Sequence, residues 1–205
     1  MTLDLDAGRI AGLIFDCDGT LVDTAPAHYY ALVAGLEKMG LTMDSAWYFE
    51  RVGLTPAALF DAFEEQVGPF DRERLIADYT VAFQEGLARL REVEVIAAIA
   101  REWKGRVPMA VGSNGTRLNV ETTLRVTGLL GLFDTVVVAA DVAEGKPAPD
   151  VFLEAARQMG VAPERCVVFE DSDEGLEAAR RAGMDGRDIR LVFTPEWKKS
   201  TQSAG

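Results

Sequence analysis

Only two cysteines occur in the 205 residues, Cys17 and Cys166. Neither has metal-ligand spacing around it, so nothing supports a zinc site and a pair of buried free thiols is expected. Basic residues are also few: 21 lysines and arginines face 33 aspartates and glutamates, for a formal charge of -12. That balance repels a phosphate backbone and no lysine or arginine block relieves it, so no nucleic-acid partner is expected. A small phosphorylated ligand stays compatible, because it meets one local site and not the salt-screened net charge. No apolar run reaches membrane-span length, and residues 1–9 lack the apolar core of a signal peptide. The expected setting is therefore cytoplasmic, with no membrane partner. Repeats and low-complexity segments are missing as well. What is present is 48% hydrophobic residues, enough for one substantial core with room for an insertion.

The apolar pattern changes period along the chain. Residues 9–15 read as a first strand, broken by Asp16, and Thr24 and Pro26 then introduce a helix, Thr24 as N-cap. Residues 26–40 repeat apolar positions at helical spacing, and further helices are expected at about 44–52, 55–67 and 71–91. From there short β-rich runs alternate with helices. Strands are expected at 107–111, 135–139, 166–169 and 189–193, and helices at 93–103, 117–127, 149–159 and 174–182. Such alternation indicates a parallel sheet with crossover helices. The fold class expected is α/β, a core of residues 1–23 and 92–205 with an all-helical domain, 24–91, inserted after the first strand. Hinges belong near 22–25 and 87–92. The tail from 194 on is polar and expected to fray.

In an open parallel sheet the ligand crevice lies at the carboxyl ends of the strands. Four of the five expected ends carry polar constellations: Asp16 and Asp18; Gly112-Ser113-Asn114-Gly115; Gly145-Lys146-Pro147-Ala148-Pro149-Asp150; and Glu170-Asp171-Ser172-Asp173. Each alone has an ordinary reading as a solvated turn or helix cap. Their joint placement points to a phosphate ester and Mg²⁺. Two carboxylates at the end of a buried strand need compensating charge. Ser113, the N–H groups of Asn114 and Gly115 near a helix start, and Lys146 can hold phosphate oxygens. Mg²⁺ takes oxygen ligands and keeps some waters, so Asp16 and Asp171 suffice, with Glu170 beside them or joined through water. Asp16 is placed to attack phosphorus.

These residues resemble a known family. Asp16-x-Asp18-Gly19-Thr20, Ser113 after a hydrophobic strand, Gly145-Lys146-Pro147-x-Pro149-Asp150 and Glu170-Asp171-Ser172 are similar to the four motifs of the haloacid dehalogenase superfamily. The subgroup is the β-phosphoglucomutase-like phosphatases, and the helical insertion resembles their type 1 cap on a Rossmann-like core. The resemblance implies a Mg²⁺-dependent phosphatase acting through an aspartyl-phosphate. Asp16 would be the nucleophile and Asp18 the acid and then base, while Ser113 and Lys146 would hold the transferring group. Mg²⁺ would be held by Asp16, the Asp18 carbonyl and Asp171. The stretch 103–191 is most similar to sugar-phosphate phosphatases, some of which act on fructose 1-phosphate.

Two alternatives stay open. A hexose phosphate mutase would use the same aspartyl-phosphate, and His28, the chain's only histidine, falls where mutases carry one. Mutases also grip a second phosphate with a cap arginine and lysine. Arg51 fits the first, but Lys38 is the only lysine in 26–86. A non-catalytic phosphate-binding protein is the other alternative, disfavoured because nucleophile, acid/base and lysine are all present. Neither oligomeric state nor a protein partner is legible.

Overall fold

The structure, a computed structural model, describes residues 8–198. What the sequence predicts for residues 1–7 and for the tail beyond 198 lies outside that span. The described chain divides into two compact units. One holds the residues up to Asp23 together with Arg91–Thr194; the other holds Thr24–Leu90 together with the residues from Pro195 on.

The first unit is a doubly wound parallel sheet. Strands β1 (Gly12–Phe15), β4 (Met109–Ser113), β5 (Thr135–Val138), β6 (Cys166–Glu170) and β7 (Asp185–Asp188) lie in the order β5-β4-β1-β6-β7. The crossovers carry helices α6 (Arg117–Val126), α7 (Asp150–Met159) and α8 (Asp173–Arg181), with α5 (Glu94–Trp103) leading into β4. β1 sits at the centre because Leu13, Ile14 and Phe15 are apolar on both faces and wholly buried. Ile14, Ala110, Val137 and Val168 pack with Val151, Phe152 and Ala155 of α7 and Ala178 and Ala179 of α8. The ring of Phe15 stacks on Phe169 at 4.8 Å.

Three strands differ from expectation, the first being β1, which starts at Gly12 and not at Arg9. β4 starts at Met109, after Pro108, which has no N–H to give a ladder; the Pro108 carbonyl accepts from Leu13. The last strand is Asp185–Asp188, not 189–193, where the chain forms a 3₁₀ turn, Ile189–Leu191. An edge strand with one hydrogen-bonded neighbour can be polar, so DGRD carries no apolar signal, whereas the buried Ile189 does.

The two segments expected as hinges, 22–25 and 87–92, contribute a short antiparallel ribbon. β2 (Val22–Asp23) pairs with β3 (Arg91–Glu92), Val22 opposite Glu92 and Asp23 opposite Arg91. The expected helix over 71–91 ends earlier, at Glu85, where Gly86 caps it.

The second unit is helical: α1 (Ala25–Glu37), α2 (Ser45–Phe49), α3 (Pro56–Val67) and α4 (Arg72–Glu85). Asp44, Thr55 and Asp71 cap the last three, each accepting a main-chain N–H three residues on. Thr24 stands at the N-cap of α1 but its hydroxyl makes no cap bond. Leu32, Leu36, Tyr48, Leu59, Phe60, Phe63 and Leu75 form the interior. Gly35 lets α4 approach α1, since a Cβ there would lie 2.8 Å from Leu75 Cδ1. The start of the tail is not loose: Trp197 stacks on Phe49 at 4.9 Å. Among the described residues no helix is long and apolar enough to cross a membrane.

Candidate active site

Strand ends of the sheet converge on one polar cluster. Asp16 extends β1, its N–H donating to the Phe169 carbonyl at 3.0 Å. The chain then folds back on itself, with the Cys17 carbonyl accepting from Leu21 and Val22. Gly19 makes this turn with φ near +87°, and any side chain there would meet Asp171, a Cβ falling 2.2 Å from Oδ2. Thr20, wholly buried, donates its hydroxyl to Asp171 Oδ1 at 3.1 Å.

From β4, the hydroxyl of Ser113 lies 3.5 Å from Asp18 Oδ2 and accepts the Gly115 N–H at 3.0 Å. Helix α6 begins at Arg117, capped by Thr116, so Asn114 and Gly115 precede the helix and do not belong to its first turn. The Asn114 side chain turns to Lys146: its Oδ1 accepts the Lys146 N–H at 2.8 Å and its Nδ2 donates to the Lys146 carbonyl at 3.0 Å.

Lys146 carries its ammonium into the cluster, 2.6 Å from Asp16 Oδ1 and 2.8 Å from Glu170 Oε2, with its side chain 4% exposed. Glu170 is wedged from the other side. Ser172 donates its hydroxyl (2.6 Å) and its N–H (3.2 Å) to Glu170 Oε1, while its oxygen caps α8 by accepting from Gly175. Gly175 is needed there, since a Cβ would sit 2.1 Å from Glu170 Cδ.

The charges do not balance. Asp16, Glu170 and Asp171 bring carboxylate oxygens within 4.8 Å of one another, with Asp18 close by, against one ammonium. Burial, then Glu170, pushes the Asp16 carboxyl well above the ordinary carboxylate range despite Lys146. Burial, then Glu170, raises Asp171 to about 7, opposed by the Thr20 hydrogen bond. Burial alone would lower Lys146, but Asp16 and Glu170 outweigh it and hold the ammonium charged. The set is all oxygen, anionic and short of positive charge. It fits a hard divalent cation.

The cluster thus contains Asp16, Asp18, Ser113, Lys146, Glu170 and Asp171, with Asn114 and Gly115 at its edge. His28 and Arg51 lie in the helical unit. The His28 ring stacks on Phe83 at 4.7 Å, with Nδ1 2.5 Å from the Tyr79 hydroxyl. The Arg51 guanidinium lies over the Trp47 ring at 4.4 Å and donates to the Trp47 carbonyl. Sequence reading passed over Thr20, the Asn114 side chain and Ser172 as a brace. Ser172 ahead of a helix is a visible N-cap candidate, but nothing in one chain's letters couples Asn114 to Lys146. Cys17 and Cys166 are buried free thiols, as expected.

A family profile described as haloacid dehalogenase-like hydrolase matches residues 13–186. The chain belongs to the haloacid dehalogenase-like hydrolases. By that membership it is a hydrolase. It is 41% identical over 185 residues to the fructose-1-phosphate phosphatase YqaB of Escherichia coli, covering 90% of this chain and 98% of that protein. To the β-phosphoglucomutase of Bacillus subtilis it is 26% identical, over 84% of this chain and 80% of that one. Among solved structures, a mutant of CbbY from Rhodobacter sphaeroides in complex with xylulose-(1,5)bisphosphate superposes with a TM-score of 0.75 at 29% identity. That match covers 86% of this hydrolase and 84% of the other chain.

Proposed function

We propose that this hydrolase cleaves a small sugar phosphate such as fructose 1-phosphate, with Mg²⁺ as cofactor and a phospho-Asp16 intermediate. The observation that carries the reading is the buried Lys146 ammonium 2.6 Å from Asp16, in a cluster with more carboxylates than cations. Asp16, the Asp18 main-chain carbonyl and Asp171 would hold Mg²⁺, with Glu170 alongside. When bound, the ion supplies positive charge for phosphoryl oxygens that repel an anionic nucleophile.

The chain's own residues divide the remaining work. Ser113, Lys146 and the N–H groups of Asn114 and Gly115 hold the phosphoryl oxygens. An Asp16 oxygen bonds to phosphorus as the P–O bond to the sugar breaks, and the departing oxygen takes a proton from Asp18. The Asp18 carboxylate then takes a proton from the water that attacks phospho-Asp16. Inorganic phosphate leaves, and the Asp16 carboxylate returns. Substrate choice falls to the helical unit, where His28 and Arg51 are the candidate contacts.

The test is phosphate release from p-nitrophenyl phosphate and fructose 1-phosphate, with and without Mg²⁺. Asp16→Asn should abolish both activities, and turnover surviving that substitution would sink the mechanism. The mutase alternative needs a lysine to grip a second phosphate. Lys38 is the one lysine of the helical stretch, and its ammonium is engaged by Asp78 at 2.7 Å. Interconversion of β-glucose 1-phosphate and glucose 6-phosphate would restore that alternative.

A further inference from the structure

We infer that Asn114 is a positioning residue for Lys146: its side-chain amide clamps both main-chain polar groups of the lysine and so sets where the ammonium stands between Asp16 and Glu170. This assignment rests on the phosphatase reading above and deepens it. The position would otherwise pass as one more phosphate contact, through its main-chain N–H. The side chain does something different.

A single primary amide holds one acceptor and two donors on a plane. Here the acceptor takes the Lys146 N–H at 2.8 Å and a donor meets the Lys146 carbonyl at 3.0 Å. Only one orientation of the amide serves both bonds, since an N–H needs an oxygen and a carbonyl needs an N–H. Two bonds to one residue fix its rotation as well as its position, as a strand partner would. The loop is built to allow this approach. Gly145 has no Cβ, and one placed there would lie 2.7 Å from Asn114 Oδ1 and 3.3 Å from Ala139 Cβ. The Ala148 N–H closes the turn on the Gly145 carbonyl at 2.9 Å.

The arrangement joins two otherwise separate strand ends. Ser113 closes β4, Lys146 lies beyond β5, and the next residue after Ser113 locks the lysine's backbone. The hydroxyl and the ammonium that hold the same phosphoryl group are thereby set relative to each other by one side chain. Lys146 has a long, flexible stem, so its tip is only as well placed as its Cα. Asn114 is itself an exposed residue. The clamp therefore places the lysine while contributing little to the buried core, and its loss should show in turnover before it shows in folding.

Asn114→Ala keeps the main-chain N–H and removes only the clamp. With p-nitrophenyl phosphate, kcat should fall about 10- to 100-fold, the scale of a misplaced catalytic group, with KM within about threefold of wild type. In a Lys146→Ala background the same substitution should cost less than about twofold, because a residue acting only through Lys146 has nothing left to place. A second measurement needs no turnover. Trace acetylation of Lys146 by acetic anhydride, read by peptide mass spectrometry against Lys104, should rise at least about fivefold in Asn114→Ala as the loop loosens. An unchanged kcat, a loss confined to KM, an equal loss in both backgrounds or unchanged acetylation would each overturn the assignment. Asp16→Asn separates the two readings. If that variant stays active the phosphatase mechanism fails; if it is dead while the cycle is additive, only the role of Asn114 falls.

Discussion

Asp16, Lys146 and Glu170 are buried charges, and all three belong to the sheet unit; among the described residues the helical unit buries none. Its interior is Leu36, Phe60, Phe63, Leu75 and Phe83, with the polar edge of Tyr48. Taking a charge out of water costs free energy that packing does not return. It is found here at the one carboxylate cluster among the described residues that could hold a metal ion. The helical unit follows the ordinary rule of burying apolar surface and keeping charge outside. Substitutions in the two units should therefore fail in different ways, one in turnover and the other in folding.

The largest expected effect would sharpen that contrast. Lys146→Ala leaves Asp16 and Glu170 facing each other unpaired, so it should lower kcat about 10²- to 10³-fold and also destabilise by about 3–5 kcal/mol. Steady-state kinetics and urea unfolding of the same sample check both; a fully active variant would mean that Lys146 is merely structural. Next is Phe63→Ala, expected to cost about 3–5 kcal/mol through the cavity it leaves. Hydrogen exchange should accelerate in Pro56–Val67 and Arg72–Glu85 while Gly12–Phe15 stays protected. Equal acceleration in both units would erase the comparison.

Third, Mg²⁺ should raise the thermal midpoint, by about 2–3 kcal/mol of stability at a hundredfold excess over its dissociation constant. EDTA should reverse the gain. Asp171→Asn should remove the response and leave the metal-free protein no less stable, since it takes one carboxylate from an overcrowded set. A midpoint indifferent to Mg²⁺ would leave the charge imbalance unexplained. The smallest effect concerns the thiols. Burial, then Glu164, pushes Cys166 up to about 11, and burial, then Asp18 and Asp16, raises Cys17 above its usual value. Both stay protonated at pH 9, so alkylation should await unfolding. Rapid modification of the folded protein with no loss of activity would show the sheet to be looser than its packing.

The chemistry was legible because it interrupts a pattern. Asp16 halts an apolar run, and Glu170-Asp171 does the same after Cys166, so polar residues at strand ends stood out against period and composition. Lys146 was legible through the prolines and glycine around it. The rest was hidden for identifiable reasons. Asp185–Asp188 is a polar edge strand, held by backbone pairing with β6 and not by apolar side chains. The ribbon of Val22–Asp23 with Arg91–Glu92 is two residues a side, too short for any periodicity. The environment of His28 depends on Tyr79 and Phe83, which a helix register brings to it from far along the chain. Trp197 reads as part of a polar tail until Phe49 is found beneath it.

The small ribbon has a consequence beyond joining strands. Because Asp23 pairs with Arg91, the sheet unit sees everything from Thr24 to Leu90 as one loop whose ends are already held together. Closing a loop of twice that length would add only about 0.6 kcal/mol. The insertion can thus be lengthened or rebuilt at little added cost in loop closure, while the pairing that holds its two ends stays as it is.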